Sequence, residues 1–144
     1  MNNMKQKITA VYAGIQGSYS MIYAGIGSFV SVYLLAQGFS NSEIGLCVSI
    51  ANLLAVFIQP GLANWADRSE KVKLTDIITG IGLFLLVALL ALFWAKGHTF
   101  WVFSLFVLAL AAHGVFQPFI NALNQRFLKK GYAINFGLCR SAGS

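Results

Sequence analysis

Apolar residues along this chain are grouped into long runs that short polar segments separate. Four of these runs reach the roughly 20 residues that a helix needs to cross a hydrocarbon core about 30 Å thick. The four runs, and the opening of a fifth, lie at about residues 8–36, 44–63, 74–95, 99–128 and from 135 onward. Lipid offers no hydrogen-bond partner to a backbone amide or carbonyl, and a helix satisfies these groups internally. The pattern therefore predicts an all-α membrane protein with four transmembrane helices and the start of a fifth.

The composition supports a membrane protein, because 58% of the residues are hydrophobic, 10% are charged and the mean hydropathy is +0.72. A formal net charge of +6 can indicate nucleic-acid binding, but the positions of the basic residues indicate membrane topology instead. Most lie before the first run, between the second and third, or after the fourth, namely Lys5, Lys7, Arg68, Lys71, Lys73, Arg126, Lys129 and Lys130. Short loops rich in Lys and Arg remain in the cytoplasm. We therefore predict a multi-pass protein of the cytoplasmic (inner) membrane with its N-terminus inside, and no nucleic-acid partner.

The sequence carries no signature of an enzyme, a metal site or a cofactor. The two cysteines, Cys47 and Cys139, lie in or beside predicted spans and have no metal-binding spacing such as C-x-x-C. Serine, histidine and acidic residues form no nucleophilic motif, and no glycine pattern follows a strand to hold a phosphate. We therefore expect no catalysis, no disulfide, no bound metal and no cofactor.

Polar side chains follow one face of the first predicted helix. Tyr12, Gln16, Tyr19 and Tyr23 are separated by four, three and four residues, which places them in one line along the helix. Polar groups at this depth of a membrane belong against protein or a water-filled cavity. We therefore expect this face of the helix to be covered by other helices or to line a polar path.

The fourth predicted helix has a similar polar line. His113, Gln117 and Asn121 follow one another at intervals of four residues. Pro118 lies within this line, and a proline inside a membrane helix can bend the helix and free a backbone carbonyl. This helix is therefore expected to face the first across a polar interior.

The second and third predicted helices differ in polarity. The second has a weaker polar line at Ser49, Asn52 and Gln59, and the third contains the apolar stretch GLFLLVALLALFWA, residues 82–95. We expect the third helix to face lipid, while the first and fourth, and the second in part, line a wet path; this asymmetry is typical of a transporter. Interhelical hydrogen bonds that hold a bundle together explain the same polar lines. His113 alone fits a satisfied interior histidine, a proton relay or a solute contact.

The charged segment PGLANWADRSEKVK, residues 60–73, is interpreted as a cytoplasmic loop between helices two and three. It resembles the loop at this place in the major facilitator superfamily, with matches at Ala63, Asp67, Arg68, Lys71 and Lys73 and a departure at Glu70. The resemblance implies that the four charged matches form a conformational loop, which holds the two halves of a transporter in one of their alternating states. A solvated loop explains the two lysines but not Asp67.

The final residues, NFGLCRSAGS, resemble the start of the fifth helix in the oligosaccharide:proton symporter branch of that superfamily, which includes lactose permease. The resemblance implies that Arg140 binds sugar hydroxyls; snorkelling of this arginine to the lipid headgroups is the alternative. Asn121 stands where lactose permease has a glutamate, so galactoside specificity is not implied. The resemblance covers residues 8–144 and implies an incomplete N-terminal bundle, residues 1–144, of a twelve-helix facilitator fold. We therefore expect a truncated product or a fragment of a longer transporter.

These features together predict the N-terminal part of a secondary active transporter for a sugar or similar polar solute, which works by alternating access with proton coupling. The residues expected to face the solute are Tyr19, Tyr23, His113, Gln117, Asn121 and Arg140. The expected partners are this solute, membrane lipid and, for a fragment, the remaining helices of the transporter. The acidic residues lie near loops or helix ends, so the sequence offers no buried carboxylate to carry the proton. A truncated or stand-alone four-helix protein without transport activity, and a drug or metabolite exporter of the same superfamily, are the alternatives.

Overall fold

The computed structural model describes residues 2–69, 73–97 and 99–129, with side chains from residue 6 onward. The elements are α1 (Asn2–Tyr23), a π-helical segment (Ala24–Ser28), α2 (Val30–Ala36), α3 (Asn41–Arg68), α4 (Leu74–Trp94) and α5 (Phe100–Lys129). Helices α3, α4 and α5 are each long and apolar enough to cross a membrane, and the bent pair of α1 and α2 gives a fourth crossing if it is one span. The predicted all-α architecture is confirmed for these residues, among which no strand occurs. The predicted start of a fifth span lies outside them.

The first predicted span is bent rather than continuous. The axis changes direction by 42° between residues Gln6–Ser28 and Val30–Ala36. The turn before the bend is π-helical, and a π-bulge inserts one extra residue into the helical ladder. Gly27 lies in this turn against the ring of Tyr23, since a Cβ atom added at position 27 would lie only 2.7 Å from that ring. Apolar residues continue through the bend, so the sequence pattern alone does not reveal it.

Helix α3 is longer than the sequence indicates. Pro60 does not end it, and the helix continues to Arg68. A proline inside a membrane helix is tolerated because other groups can satisfy the backbone atoms that it frees. Asp67 and Arg68 therefore belong to the last helical turn, which corrects the interpretation of residues 60–73 as a loop. Helix α4 begins soon afterwards, where the carboxylate of Asp76 accepts a hydrogen bond of 3.0 Å from the backbone N–H of Lys73.

Helix α5 is the centre of the described bundle, because it packs against α4, α3 and α1. Helix α4 buries one face, which includes Leu85, Ala88 and Leu92. Its opposite face exposes large apolar side chains, among them Leu83 and Leu90. An apolar face of this size is not normal on a surface in water and suits contact with lipid. The position of α4 therefore agrees with the expectation that the apolar third span lies on the outside.

Polar contacts connect the C-terminal end of α4 to α2. The hydroxyl of Tyr33 donates to the carbonyl of Leu92 at 2.8 Å and also lies 3.1 Å from the carbonyl of Ala95. The side-chain carbonyl of Gln37 accepts a hydrogen bond from the backbone N–H of Gly97. The last carbonyls of a helix have no partner within the helix, so Tyr33 satisfies groups that lipid cannot.

Candidate functional site

A cavity of about 270 Å³ lies between the first bent span, α3 and α5. Its polar lining residues are Tyr19, Tyr23, Asn52 and His113. Gly27 and Gly114 also line it, so the π-helical segment of the first span forms one of its walls. The structure therefore brings together three of the predicted solute-facing residues, which come from the two polar lines on the first and fourth predicted spans.

The imidazole ring of His113 packs on both tyrosine rings of α1. Its centroid lies 4.4 Å from that of Tyr19, with 15° between the ring planes, and 5.3 Å from that of Tyr23, with 25° between the planes. Phe116 contacts Tyr19 edge-on at 5.8 Å. These stacked contacts occupy ring faces and leave the ring edges, which carry the nitrogen atoms, for other partners.

His113 is buried, with 5% of its surface exposed, yet neither ring nitrogen has a hydrogen-bond partner within the described part of the chain. Buried polar atoms in folded proteins nearly always have a hydrogen-bond partner, so two ring nitrogens without one need an explanation. Of the three roles that the sequence leaves open for His113, the satisfied interior histidine is the one that this geometry does not support.

The contact between α3 and α5 sets the position of Asn52. The proline ring of Pro118 has no N–H, so the carbonyl of Gly114, four residues earlier, loses its helical partner. The side-chain amide of Gln59 on α3 donates to this carbonyl at 3.2 Å. One turn away the helices pack closely, because a Cβ atom added at Gly114 would lie 3.1 Å from the Cβ of Ala55. Gln59, Ala55 and Asn52 share one face of α3, and the first two hold the third beside the cavity.

Gln117 and Asn121 do not line this cavity. The amide of Gln117 donates to the side-chain carbonyl of Asn121 at 3.4 Å, so these two residues form a pair of their own further along α5. The side-chain carbonyl of Gln117 is buried without a partner among the described residues. Arg140 lies outside the described residues.

Further polar side chains are buried between the cavity and the end of the bundle that contains Arg68. Gln16 on α1 and Asn124 on α5 are 5% and 4% exposed, and the side-chain carbonyl of each lacks a hydrogen-bond partner in the parts of the chain described above. Tyr12 is also buried, at 1% exposed. The polar line on α1 is therefore buried at Tyr12 and Gln16 and partly buried at Tyr19, whereas Tyr23 at its end is 54% exposed.

Charged side chains at the end of the bundle that contains Arg68 surround a second cavity. This space of about 320 Å³ is lined by Asp67 at the end of α3 and by Arg126 and Lys129 at the end of α5. Asp67 therefore faces the basic end of α5. Of the other predicted conformational residues, Arg68 and Lys73 are exposed at the same end of the bundle, and Lys71 lies outside the described residues.

Asn52 and Gln59 were not predicted from the sequence as residues of the site. Both belong to the polar line of the second predicted span, which is weaker than the other two because alanines and apolar residues separate its members. Their spacing of seven residues places them on one face of a helix, and this was the available signal. Their partners on α5, however, come from a distant part of the chain, so the spacing alone does not identify the cavity.

No group of three metal-binding side chains occurs in residues 2–69, 73–97 and 99–129.

Comparisons with known proteins show the family to which this chain belongs. The sequence profile of the Major Facilitator Superfamily matches residues 5–144. The uncharacterized transporter YwbF of Bacillus subtilis (strain 168) is 30% identical over 142 residues, which is 92% of this chain and 33% of that protein. The chain thus spans about a third of the length of this relative, and no solved structure matches it significantly. From the extent of the profile match we conclude that this chain, with its several membrane-length helices, belongs to the Major Facilitator Superfamily.

Proposed function

We propose that this chain is part of a secondary transporter that moves a small, polar, uncharged solute, such as a sugar, by alternating access. The observation that carries the proposal is the cavity that Tyr19, Asn52 and His113 line between membrane-length helices. A chain that only anchors or holds a bundle has no need of a polar space at this depth, because each buried polar group there costs free energy.

The chemistry of the cavity wall favours a polyhydroxylated solute. Tyrosine hydroxyls, an amide and an imidazole both donate and accept hydrogen bonds, as sugar hydroxyls require. No charged side chain from the described residues lines the cavity, so nothing in its wall favours an ionic solute. The tyrosine rings add flat apolar faces, which suit the C–H faces of a sugar ring.

The lining of the cavity favours a polar solute over an apolar drug. Its hydrogen-bonding side chains are those of Tyr19, Tyr23, Asn52 and His113. A drug or metabolite exporter of the same superfamily is the second candidate, and it requires a more apolar lining.

Two parts of the proposal depend on the family resemblance. Arg140 and Asn121 are proposed as further solute contacts, on the pattern of the oligosaccharide:proton symporter branch. Asp67 is proposed as a conformational contact, since it shares a cavity with Arg126 and Lys129. We also propose that the N-terminus and the end of the bundle that contains Arg68 lie in the cytoplasm. Transport is proposed to be coupled to protons.

A binding and uptake experiment tests the proposal. The full-length gene product is reconstituted in proteoliposomes and screened for uptake of radiolabelled mono- and disaccharides. Alanine variants at Asn52, Asn121 and Arg140 are expected to lose at least tenfold in uptake while still inserting into the membrane, because each removes a proposed solute contact. Leu83→Ala on the exposed face of α4 is the matched control and is expected to retain uptake.

Uptake at the normal rate by all three variants would refute the site. Absence of uptake of any tested sugar, together with a stable 144-residue oligomer in native membranes, would instead favour the stand-alone membrane protein without transport activity.

A further inference from the structure

His113 is the feature of the cavity that the proposed transport function leaves unexplained. Its two ring nitrogens are buried and have no hydrogen-bond partner in the described residues, while its ring faces are covered by Tyr19 and Tyr23. A histidine that only fills space usually donates at least one N–H to a neighbour. A solute hydroxyl can satisfy one nitrogen, and a second group is needed for the other.

The groups that face His113 from each neighbouring element are neutral. The bent first span presents the two tyrosine hydroxyls, α3 presents the amide of Asn52, and α5 itself contributes Leu110 and Gly114. Helix α4 and its acidic residue Asp76 do not line the cavity. Within the described ranges, therefore, no carboxylate or basic side chain competes with His113 for a proton in this space.

The rings around His113 suit a positive charge. The face of an aromatic ring carries partial negative charge and attracts a cation within about 6 Å of its centroid. Both tyrosine centroids lie inside that distance, at 4.4 and 5.3 Å, and both planes are nearly parallel to the imidazole. A protonated imidazole in this position has two N–H donors, so one can bind a solute hydroxyl while the other binds water or a tyrosine hydroxyl.

The described acidic residues do not offer an alternative proton site in the cavity. Glu43 caps the start of α3, Asp67 lies in the last turn of the same helix, and Asp76 lies in the first turn of α4. Each is at a helix end, whereas His113 is near the middle of the 30 residues of α5. Imidazole is also the side chain whose charge changes near neutral pH without a special environment.

We propose that His113 is the proton-binding site of this cavity. The lone pair of an unprotonated ring nitrogen takes a proton from water in the open cavity, and the new N–H returns that proton to water when the cavity opens elsewhere. Solute and proton then favour each other, because a solute hydroxyl accepts a hydrogen bond from the imidazolium and the linkage is reciprocal. This coupling rests on the proposed transport function, but proton binding itself does not.

Nuclear magnetic resonance of the full 144-residue chain in lipid nanodiscs tests the proposal directly. The chain has two histidines, so histidine-selective 13C and 15N labelling gives two imidazole signals, and the His98→Gln variant leaves only that of His113. The probe is the proton alone, over pH 5–9. We expect a reversible titration of the His113 signals with full conversion between the neutral and the doubly protonated ring.

Two variants of Tyr19 separate proton binding from packing. Tyr19→Phe keeps the ring face and is expected to leave the titration midpoint in place. Tyr19→Leu removes the face and is expected to weaken proton binding by about thirtyfold, the size of a desolvated cation–π contact. A histidine with a merely structural role would show no such difference in the pH profile between the two variants.

The proposal is overturned if the His113 ring stays neutral throughout pH 5–9, or if both variants titrate at the midpoint of the parent chain. Neither result depends on a solute, so the uptake experiment above still decides the transport function separately. Sugar uptake with a neutral His113 would leave the transporter assignment standing and remove the proton site alone.

Discussion

Replacement of Gln59 by leucine tests how a proline is accommodated at the α3–α5 contact. Leucine keeps most of the side-chain volume but cannot donate to the carbonyl of Gly114, which Pro118 leaves without a helical partner. Hydrogen bonds between membrane helices contribute about 0.6 kcal/mol on average and up to about 1.7 kcal/mol. Leaving a partly buried carbonyl without its partner costs about 1 kcal/mol, which lies within the same range. We therefore expect Gln59→Leu to lower the free energy of unfolding by about 1 kcal/mol.

The same reasoning predicts that this loss disappears when the proline is removed. Pro118→Ala restores a backbone N–H that can donate to Gly114, so Gln59 is no longer needed there. The double variant should then be no less stable than Pro118→Ala alone, and the cycle should give a coupling of about 1 kcal/mol. Far-UV circular dichroism during titration with sodium dodecyl sulfate in detergent micelles measures all four proteins.

Gln125→Leu is the matched control, because Gln125 is an exposed amide on α5 some three turns beyond Gly114. Its effect should be the same with and without Pro118, within about 0.5 kcal/mol. Additive effects of Gln59→Leu and Pro118→Ala would refute the account, since they would show that the amide does not replace the missing donor.

Three further predictions follow from contacts elsewhere in the bundle. Gly27→Ala should displace the Tyr23 ring, which would lie 2.7 Å from the added Cβ, and cost about 1 kcal/mol of stability in the same detergent titration, because that ring is 54% exposed and can shift. Tyr33→Phe should expose the last turn of α4, so the backbone amides there should exchange with deuterium faster while those of α5 stay protected. Ser40→Ala should cost about 1 kcal/mol of stability, because Ser40 caps α3 by accepting from the N–H of Glu43 at 3.3 Å.

Each of these has a simple contrary result. An unchanged stability for Gly27→Ala would mean that the tyrosine ring moves freely and that the π-helical wall does not depend on glycine. Uniform exchange across the chain in Tyr33→Phe would point to general unfolding instead of a lost contact. Ser42→Ala, which alters the first turn of α3 and not its cap, should be close to neutral, and an equal loss there would reject the capping argument.

The long helices could be predicted because each depends on a local run of apolar residues. Helix α4 starts at Leu74 as the pattern indicates and ends at Trp94, one residue before the predicted limit. Spacing alone predicted that the polar faces of the first and fourth spans are turned toward each other. The stacking of His113 on Tyr19 agrees with this prediction. Periodicity within one helix is sufficient for these features.

The remaining features depend on contacts that a single run of residues does not contain. The bend near Phe29 depends on how the Tyr23 ring covers Gly27, and the continuation of α3 through Pro60 depends on the tolerance of membrane helices for an internal proline. The role of Gln59 depends on a carbonyl that lies 55 residues away in the sequence. Such partners become visible only when the helices are packed together.

The central claim is that water reaches the cavity between the first span, α3 and α5 from at least one side of the membrane. Asn52→Cys places a thiol in its wall after the native thiols are removed by Cys47→Ser and Cys139→Ser, and Val56→Cys, exposed on α3 one turn further, is the control. Charged thiosulfonate reagents that do not cross lipid react only with a thiolate in contact with water. The account predicts that N52C is labelled at least tenfold faster than V56C, and equally slow labelling of both from either side would contradict it.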